Sequence, residues 1–320
     1  PFDLKAIPPF GVHISKMFEA RLDQSVLFKR IIDAVKELVE QVNIECTASG
    51  MAIQAMDSTH VALIQLNLNS SAFSTYRCEP SCTLGIDVKE IQKVFKSAGA
   101  DDALTLRTDS EDADILRIIF QSEGKKRLSQ FDLKLMDIDE SSVGITEREH
   151  DFVAQIDSGE FFRVCRDLMQ LGDKFDLQGS KKGLQFHVSG DSTSGTILLQ
   201  PTDAGVDDDF DEEDEEGKSC LRKLVVKAEV HLTVSGRQLM HFCKATPLSD
   251  VVELRMSSKS PLSLVYPIDK GGNLTYYLAP KKDTEEDEDE EESGSSEHED
   301  GEEQANEEVK NEVDESESDF

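Results

Sequence analysis

Residues 87–98 read DVKEIQKVFKSA, and residues 235–246 read SGRQLMHFCKAT. Both segments place basic side chains on one side of a helix and apolar side chains on the other, because positions i, i+4 and i+7 share a helix face. The basic stripe comprises Lys89, Lys93 and Lys96 in the first segment and Arg237, His241 and Lys244 in the second. We therefore predict helices at 89–98 and 236–245 that carry the same basic face.

The pattern around these helices also occurs twice. A shift of 148 residues relates the two stripes and the strands that follow them, and a shift of 134 relates the earlier parts. The shift of 134 aligns Phe28 with Phe162, Lys29 with Arg163, Asp33 with Asp167 and Asp57 with Asp191, with a one-residue gap around Gly50 and Gly183. Such self-similarity indicates two copies of one βα unit. We expect a first domain at 17–136, a connector at 137–150 and a second domain at 151–282.

Short runs of alternating apolar residues dominate both halves, and only two further segments have helical periodicity, at 25–39 and 159–171. The predicted strands lie at 52–54, 61–68, 83–87, 104–108, 115–121, 131–136, 153–156, 183–188, 196–200, 224–234, 251–256, 262–267 and 274–278. The predicted fold class is therefore α+β and sheet-dominated, with two helices in each half.

The formal net charge of −32 is concentrated in two segments. Residues 283–320 carry 21 acidic side chains and one basic side chain, and residues 207–216 carry nine acidic ones, which leaves −3 for the rest. The body is therefore nearly neutral, although the charge of the whole chain argues against a polyanionic partner. We predict a disordered acidic tail at 283–320 and a solvated acidic loop at 205–219, because neither has enough apolar surface to order.

Residues 1–16 contain three prolines and precede the first regular pattern. We predict that they are a disordered leader or an expression remnant.

Motifs for catalysis and for cofactor binding are absent from the sequence. There is no GxGxxG, Walker loop, GxSxG or HExxH. The six cysteines show no CxxC spacing, so we expect reduced, mostly buried thiols and no metal site. No apolar run approaches the roughly 20 residues of a membrane helix, and no signal peptide is visible, which predicts a soluble intracellular protein. We expect no enzymatic activity and no cofactor.

The two other predicted helices carry further basic side chains. Arg163 and Arg166 lie on helix 159–171, and Lys29, Arg30 and Lys36 lie on helix 25–39, where acidic residues interleave. One such helix alone is most often an ordinary solvated face, but matching stripes on a near-neutral body favour a surface that follows phosphates. No aromatic residue interleaves with the stripe, so we expect contacts to a phosphate backbone that are independent of base sequence.

Several motifs in order resemble one family. They are MFEARL (17–22), MDSTHVALIQL (56–66), YRC (76–78), KLMDID (134–139), SGEFFRVCRDL (158–168), KATPLSD (244–250) and YYLAP (276–280). Over residues 17–282 they resemble the proliferating cell nuclear antigen family, the eukaryotic DNA sliding clamps. The resemblance implies the DNA clamp fold, with helices lining a closed homotrimeric ring and sheets outside. It also implies a nuclear processivity factor for DNA polymerase in replication, repair and translesion synthesis.

Helix dimensions agree with a trimer. Four helices per chain give twelve, which at about 9 Å between axes close a circle roughly 34 Å across and leave a hole on the order of 24 Å. A duplex about 20 Å wide fits this hole, whereas the eight helices of a dimer would leave only about 13 Å. The resemblance places the strands that pair between subunits at 114–120 on one chain and 195–200 on the next.

The resemblance further implies a front-face pocket for client peptides that carry a glutamine and paired aromatic residues. Its lining would comprise Met56, His60, Val61, Leu63, Val143, Gly144, Ile145, Pro261, Tyr277, Ala279 and Pro280. Without the resemblance, the sequence favours Val61, Leu63 and Tyr277 as ordinary strand core residues and His60 as a surface histidine with no ligand role. Residues 143–146 read VGIT where the family has leucine first and proline last, which predicts an altered client preference.

The implied partners are a second and third copy of the chain, duplex DNA, DNA polymerase, the clamp loader, and clients of the flap endonuclease and ligase type. Lys181 resembles the family's site of ubiquitin attachment, although Lys182 replaces the usual acidic neighbour.

Other functions remain open at this point. A subunit of the related heterotrimeric checkpoint clamp would share the fold but would not assemble with itself. An acidic histone-binding chaperone is suggested by the tail alone, and an enzyme would show intrinsic turnover.

Overall fold

The computed structural model describes residues 18–108, 114–122, 124, 126–139, 149–201, 220–269 and 271–281. The predicted leader, the acidic loop at 205–219, the acidic tail and connector residues 140–148 lie outside the described residues. In the first half the elements are β1 (Phe18–Leu22), α1 (Val26–Val35), β2 (Gln41–Thr47), β3 (Gly50–Met56), β4 (Ala62–Asn69), β5 (Thr75–Cys78), β6 (Cys82–Asp87), α2 (Val88–Phe95), β7 (Ala103–Thr108), β8 (Ile115–Ser122) and β9 (Arg127–Lys134).

The second half repeats this order of strands and helices. Its elements are β10 (Phe152–Asp157), α3 (Ser158–Met169), β11 (Lys174–Ser180), β12 (Gly183–Ser189), β13 (Ser194–Leu199), β14 (Leu221–Val226), β15 (Val230–Ser235), α4 (Gly236–Phe242), β16 (Val251–Ser257), β17 (Ser260–Pro267) and β18 (Gly272–Leu278). Short 3₁₀ helices occupy Ser70–Ala72 and Cys243–Leu248.

Each half contributes a five-stranded and a four-stranded antiparallel arrangement. The orders are β5-β1-β7-β8-β9 and β4-β3-β2-β6 in the first half, and β14-β10-β16-β17-β18 and β13-β12-β11-β15 in the second. Strands β18 and β4 pair from Gly272 opposite Leu68 to Leu278 opposite Ala62, so one arrangement from each half merges into a nine-stranded sheet. The predicted α+β class, with two similar units, is confirmed.

The helices pack side by side against the sheets. Helix α2 contacts α1, and α1 contacts the 3₁₀ helix that follows α4. Helix α4 and this 3₁₀ helix both contact α3. The Phe28 ring of α1 stacks on Phe95 of α2 with 5.5 Å between centroids, and Phe242 of α4 stacks on Tyr276 of β18 at 4.4 Å. These rings are fully buried. Buried aromatic rings therefore pack helix against helix and helix against sheet.

Burial corrects the alignment of the two repeats. Phe28 and Phe161 are fully buried, whereas Phe162 is exposed, so Phe28 corresponds to Phe161 and the predicted shift of 134 in this helix is wrong. A shift of 133 relates α1, β2 and β3 to α3, β11 and β12. The sequence contains two adjacent phenylalanines, and only the helix phase relative to the sheet decides which one is buried.

A buried serine begins the first helix of each half in the same way. The Ser25 N–H donates to the Asp102 carbonyl at 2.8 Å, and the Ser158 N–H donates to the Asp250 carbonyl at 3.0 Å. The two serines differ by 133 residues and the two carbonyls by 148, so these contacts agree with the corrected register.

The predicted helix at 236–245 ends early. Helix α4 stops at Phe242, and Cys243–Leu248 continues as a 3₁₀ helix that contains Pro247. Proline lacks the N–H of an α-helical hydrogen bond, and its ring would clash with the carbonyl four residues earlier. The predicted helices 25–39 and 89–98 also end early, at Val35 and Phe95, while α3 closely matches 159–171.

Strand predictions erred mostly by omission. Strands β1, β2, β5 and β11 were not predicted, and the strand predicted at 224–234 is two strands, β14 and β15, in different sheets. Between them the N–H groups of Lys227 and Ala228 both donate to the Asp151 carbonyl, at 2.7 and 3.1 Å. This turn depends on a carbonyl about 75 residues earlier in the chain, which no local pattern reveals.

One buried hydrogen bond joins the two halves through the core. The Tyr276 hydroxyl of β18 donates to the Ala34 carbonyl in the last turn of α1 at 3.1 Å. We expect Tyr276→Phe to lower the free energy of unfolding by about 1–3 kcal/mol, because a buried carbonyl loses its donor. Tyr266→Phe is the matched control, since the equally buried Tyr266 hydroxyl lies near the Thr246 side chain but donates to no backbone carbonyl of the described residues. Denaturant unfolding of both variants tests this, and equal losses would contradict it.

Candidate nucleic-acid interface and client surface

The basic residues predicted to contact DNA all lie on the four helices or in the residue or two after them. We call this set the basic helix face: Lys29, Arg30, Lys36, Lys89, Lys93, Lys96, Arg163, Arg166, Arg237 and Lys244. Lys29 and Lys36 are partly buried, and the other eight are exposed. The buried side of each helix packs on the sheets, as Val88, Ile91 and Phe95 do in α2. The basic helix face therefore points away from the sheets.

Half of the basic helix face is neutralised by neighbouring carboxylates. The ion pairs are Lys36–Asp33 at 2.9 Å, Lys89–Glu40 at 2.5 Å, Lys93–Glu90 at 2.6 Å, Arg163–Glu160 at 2.5 Å and Arg166–Asp167 at 2.8 Å. Among the described residues, no carboxylate pairs with Lys29, Arg30, Lys96, Arg237 or Lys244. These five side chains can bind an anion without first giving up an internal partner.

One side chain departs from the predicted stripe. His241 is partly buried, and its Nδ1 is enclosed without a hydrogen-bond partner in the described part of the chain, so it does not extend the exposed stripe of Arg237 and Lys244. Outside the stripe, helix α3 carries the exposed aromatic Phe162, and the Arg166 guanidinium lies 5.9 Å from its ring centroid. Helix phase decides both positions.

A second surface lies on the opposite side of the nine-stranded sheet. Met56, Leu63 and Tyr277 face one another across β3, β4 and β18. Side chains alternate between the faces of a sheet, and the neighbouring Tyr276 contacts the helices. The row with Tyr277 therefore lies on the face away from the helices.

Eight of the eleven predicted pocket residues lie in or beside this row. We call them the client patch: Met56, His60, Val61, Leu63, Pro261, Tyr277, Ala279 and Pro280. The Ala279 N–H donates to the Val61 carbonyl at 2.9 Å, which joins the residues after β18 to the turn before β4. The other three, Val143, Gly144 and Ile145, lie outside the described residues.

A buried carboxylate shapes the turn that carries His60 and Val61. Asp57 accepts hydrogen bonds from the backbone N–H groups of Val61 at 2.9 Å and Ala62 at 2.8 Å, and its side chain also bonds the Thr59 hydroxyl. His60 adopts a φ of 56°, and its Nδ1 lies 3.0 Å from the Met56 sulfur. Asp57 thus holds two members of the client patch in place.

The structure corrects the position of one strand edge. Residues 115–120 belong to β8, which pairs with β7 on one side and β9 on the other, so the edge predicted at 114–120 is wrong. The neighbouring strand β9 is an edge of this sheet, with β5 at the other side, and β13 is an edge of the four-stranded sheet, which matches the prediction of 195–200. The sequence of β8 is the more apolar of the two strands, and it is apolar because it lies in the interior.

Comparisons with known proteins agree with this geometry. The family model for the N-terminal domain of proliferating cell nuclear antigen matches residues 17–143, and the model for its C-terminal domain matches residues 144–281. The proliferating cell nuclear antigen of Dictyostelium discoideum is 40% identical over 265 residues, which cover 83% of this chain and 99% of that protein. The chain belongs to the proliferating cell nuclear antigen family.

Two residues of this family member escaped the sequence analysis as parts of a site. Asp57 was noted only as a repeat position, and Gln238 was not singled out. The Gln238 side-chain amide of α4 donates to the Asp57 carboxylate at 3.4 Å, so a helix that carries the basic face contacts the turn of the client patch. The residues are 181 positions apart, and no sequence signal pairs them.

Lys181 lies in the two-residue turn between β11 and β12, and its side chain is exposed. Its neighbour Lys182 donates its backbone N–H to the Ser180 hydroxyl at 3.2 Å. The turn therefore presents both lysines of this family member to solvent.

Four of the six cysteines are buried and all six are free thiols, as predicted. Within the described ranges, no three His, Cys, Asp or Glu side chains are grouped as metal ligands. None of the helices in those ranges is long and apolar enough to cross a bilayer.

Proposed function

We propose that this chain is the subunit of a homotrimeric DNA sliding clamp that encircles duplex DNA and tethers DNA polymerase and other replication and repair proteins. The observation that carries the proposal is the internal junction of β18 with β4. Strand β9 is the counterpart of β18, and β13 is the counterpart of β4, yet in a single chain both are edges. The chain forms this junction once within itself, between β18 and β4. The corresponding strands β9 and β13 each keep a free edge, so they can form the same junction with neighbouring chains.

The counterpart residues define the register of that second junction. Leu274 pairs with Leu66 at the internal junction, and both are fully buried. Their counterparts, by the pairing of β9 with β8 and of β13 with β12, are Phe131 and Ile197, which are only partly buried in one chain. Pairing β9 of one subunit with β13 of the next would bury this aromatic and aliphatic pair, which favours association.

The junction is heterologous, so repetition of it must close a ring or extend a filament. Three chains would give three internal and three intersubunit junctions, and the hole estimated from twelve helices admits a duplex. The two clamp domains would be residues 17–136 and 151–282, with residues 137–150 as the connector. The closure also covers the two edges, which otherwise invite aggregation.

The basic helix face would line the hole and contact phosphates. Its side chains project from the layer of helices, away from the sheets, and backbone contacts independent of base sequence suit a protein that slides. The five side chains without an ion pair in the described part of the chain are expected to carry most of this attraction, because the other five must exchange a carboxylate for a phosphate.

Two double variants with the same change in charge test this division. We expect Lys96→Gln with Lys244→Gln to weaken retention on DNA about tenfold at physiological salt, because two phosphate contacts are lost. Each lost contact should also reduce the slope of log affinity against log salt concentration by roughly 0.9. Lys93→Gln with Arg166→Gln is the control and removes two paired cations, so its effect should be much smaller. Retention of loaded clamps on closed circular DNA, measured against salt, distinguishes the pairs. Equal effects of the two double variants would show that the internal ion pairs do not weaken phosphate binding.

The client patch would receive peptides with a glutamine and paired aromatic residues, completed by Val143, Gly144 and Ile145. Its apolar row with few polar groups suits such anchors. The partners would be the polymerase, the clamp loader, and flap endonuclease and ligase-type clients. Lys181 would be the site of ubiquitin attachment.

The clamp would act in the nucleus and without catalysis of its own. Family membership does not favour the checkpoint clamp, and self-assembly separates the two: light scattering on the purified chain should give the mass of three chains. A stable monomer would exclude the homotrimeric clamp.

A further inference from the structure

Three cysteines of the first half lie close together, two on neighbouring strands of the nine-stranded sheet and one at the end of a strand of the five-stranded sheet. Cys46 of β2 is directly opposite Cys82 of β6 in the antiparallel register. Cys78 ends β5, four residues before Cys82. Cys46 and Cys78 are buried, whereas Cys82 is partly exposed. Cys82 is thus the one thiol of this group that solvent reaches in part.

The three thiols differ in acidity because of their mutual contacts. A hydrogen bond from Cys46, opposed by burial and assisted by Cys78, lowers the pKa of Cys82 to about 7. Burial raises the pKa of Cys78 to about 11. The pKa of Cys46 is raised, first by its hydrogen bond to Cys82 and then by burial. At neutral pH the exposed thiol is therefore the nucleophilic one of the three.

We propose that Cys82 is a peroxide-reactive site that, once oxidised, forms a disulfide with Cys46. The Cys82 thiolate attacks one peroxide oxygen, the O–O bond breaks, and hydroxide leaves and takes up a proton to become water. The sulfur becomes a sulfenic acid. The Cys46 thiol then loses its proton and attacks this sulfur, the S–O bond breaks, and a second water leaves. The two sulfurs supply the two electrons that reduce the peroxide.

Strand geometry favours Cys46 over Cys78 as the partner. Residues directly opposite in antiparallel strands have Cα atoms about 4.5–5.5 Å apart, which lies within the roughly 4.4–6.8 Å range of disulfides. The Cys78 thiol donates to the Pro80 carbonyl at 3.5 Å, whereas the other contact of Cys46, with the Ile44 carbonyl, is longer at 3.9 Å. Cys78 is therefore the better-anchored thiol in its present position.

The disulfide would cross-link the two strands that hold the start of the connector. Gly85 of β6 accepts the Met136 N–H at 3.0 Å, and the Asn43 side chain of β2 donates to the Ile138 carbonyl at 2.9 Å. Gly85 lies three positions after Cys82 in β6, and Asn43 lies three positions before Cys46 in β2. A cross-link between β2 and β6 would therefore restrain residues 136–138, which precede the proposed pocket residues 143–145 in the sequence.

The test uses the full reduced chain, hydrogen peroxide and peptide mass mapping without reduction. We expect a Cys46–Cys82 disulfide as the main product. Iodoacetamide should modify Cys82 first, with a rate that rises with pH around a midpoint of about 7. Cys78→Ser should still form the disulfide. Cys46→Ser should leave a sulfenic acid on Cys82 that a dimedone probe captures, and Cys82→Ser should abolish both products.

The second half supplies an internal control. Cys165 and Cys243 also form a contacting pair, but both are buried, and burial raises the pKa of Cys165. This pair should stay reduced under the same treatment. A Cys78–Cys82 disulfide, or oxidation of Cys165 as fast as that of Cys82, would overturn the proposal. Mapping of the unmodified chain decides the question even if a variant fails to fold.

Discussion

Ile197→Asp separates the proposed trimer into single chains at micromolar concentration. The side chain lies on the edge strand β13, where it is the counterpart of the buried Leu66 at the internal junction. In the ring it would oppose Phe131 of the next subunit, and a carboxylate buried there without a partner costs several kcal/mol. Three such junctions would be weakened at once, so we expect the association constant to fall by more than about a hundredfold.

The measurement is the solution mass by light scattering, with a matched control on another sheet edge. Val225 is an exposed apolar residue on the edge strand β14, and Val225→Asp should leave the mass at three chains. Ile197 is only partly buried in the single chain, so both variants should unfold cooperatively at similar temperatures. A trimer that survives Ile197→Asp, or one that Val225→Asp dissociates, would place the junction elsewhere.

Tyr277→Ala weakens binding of a client peptide about thirtyfold. Tyr277 lies beside Leu63 in the client patch, on the face of the sheet away from the helices. Truncation of a well-packed aromatic anchor costs about 2 kcal/mol or more at hot spots, and each 1.4 kcal/mol is tenfold in affinity. Calorimetric titration with a synthetic peptide that contains a glutamine and paired aromatics gives the Kd directly.

Tyr277→Phe is the matched control for this experiment. It keeps the ring but removes the hydrogen bond from the Tyr277 hydroxyl to the Gln65 side chain, which is 3.2 Å long. We expect it to bind the peptide nearly as well as the unchanged chain, and both variants should remain trimeric. An unchanged Kd for Tyr277→Ala would remove Tyr277 from the client surface.

The two predictions rest on different amounts of sequence information. The client patch was inferred from the family resemblance, and the structure brings eight of its eleven members together at one end of β3, β4 and β18. The subunit edge was also inferred from the resemblance, yet one of its two strands was misplaced by one strand of the sheet. The edge was carried over from the resemblance, and the more polar composition of β9, which is typical of an edge strand, was not used to choose between the two strands.

Local periodicity was enough for the elements that carry the basic face. Lys89, Lys93 and Lys96 lie on one side of a helix because they are spaced four and three residues apart and an α-helix has 3.6 residues per turn. The concentration of negative charge in two segments also follows from the sequence alone. These features depend on near neighbours in the chain, so they can be read before any folding is considered.

Only the tertiary structure decided which partners these elements meet. Lys89 is paired with Glu40, which is 49 residues away, and Cys46 lies opposite Cys82 through the register of two strands. The β18–β4 junction, which points to the ring, joins the two halves of the chain through strands that are about 200 residues apart. Such contacts are set by packing between segments that are distant in the sequence. The free energy of burial depends on which side chains meet in the folded chain, and the order of residues alone does not specify those pairs.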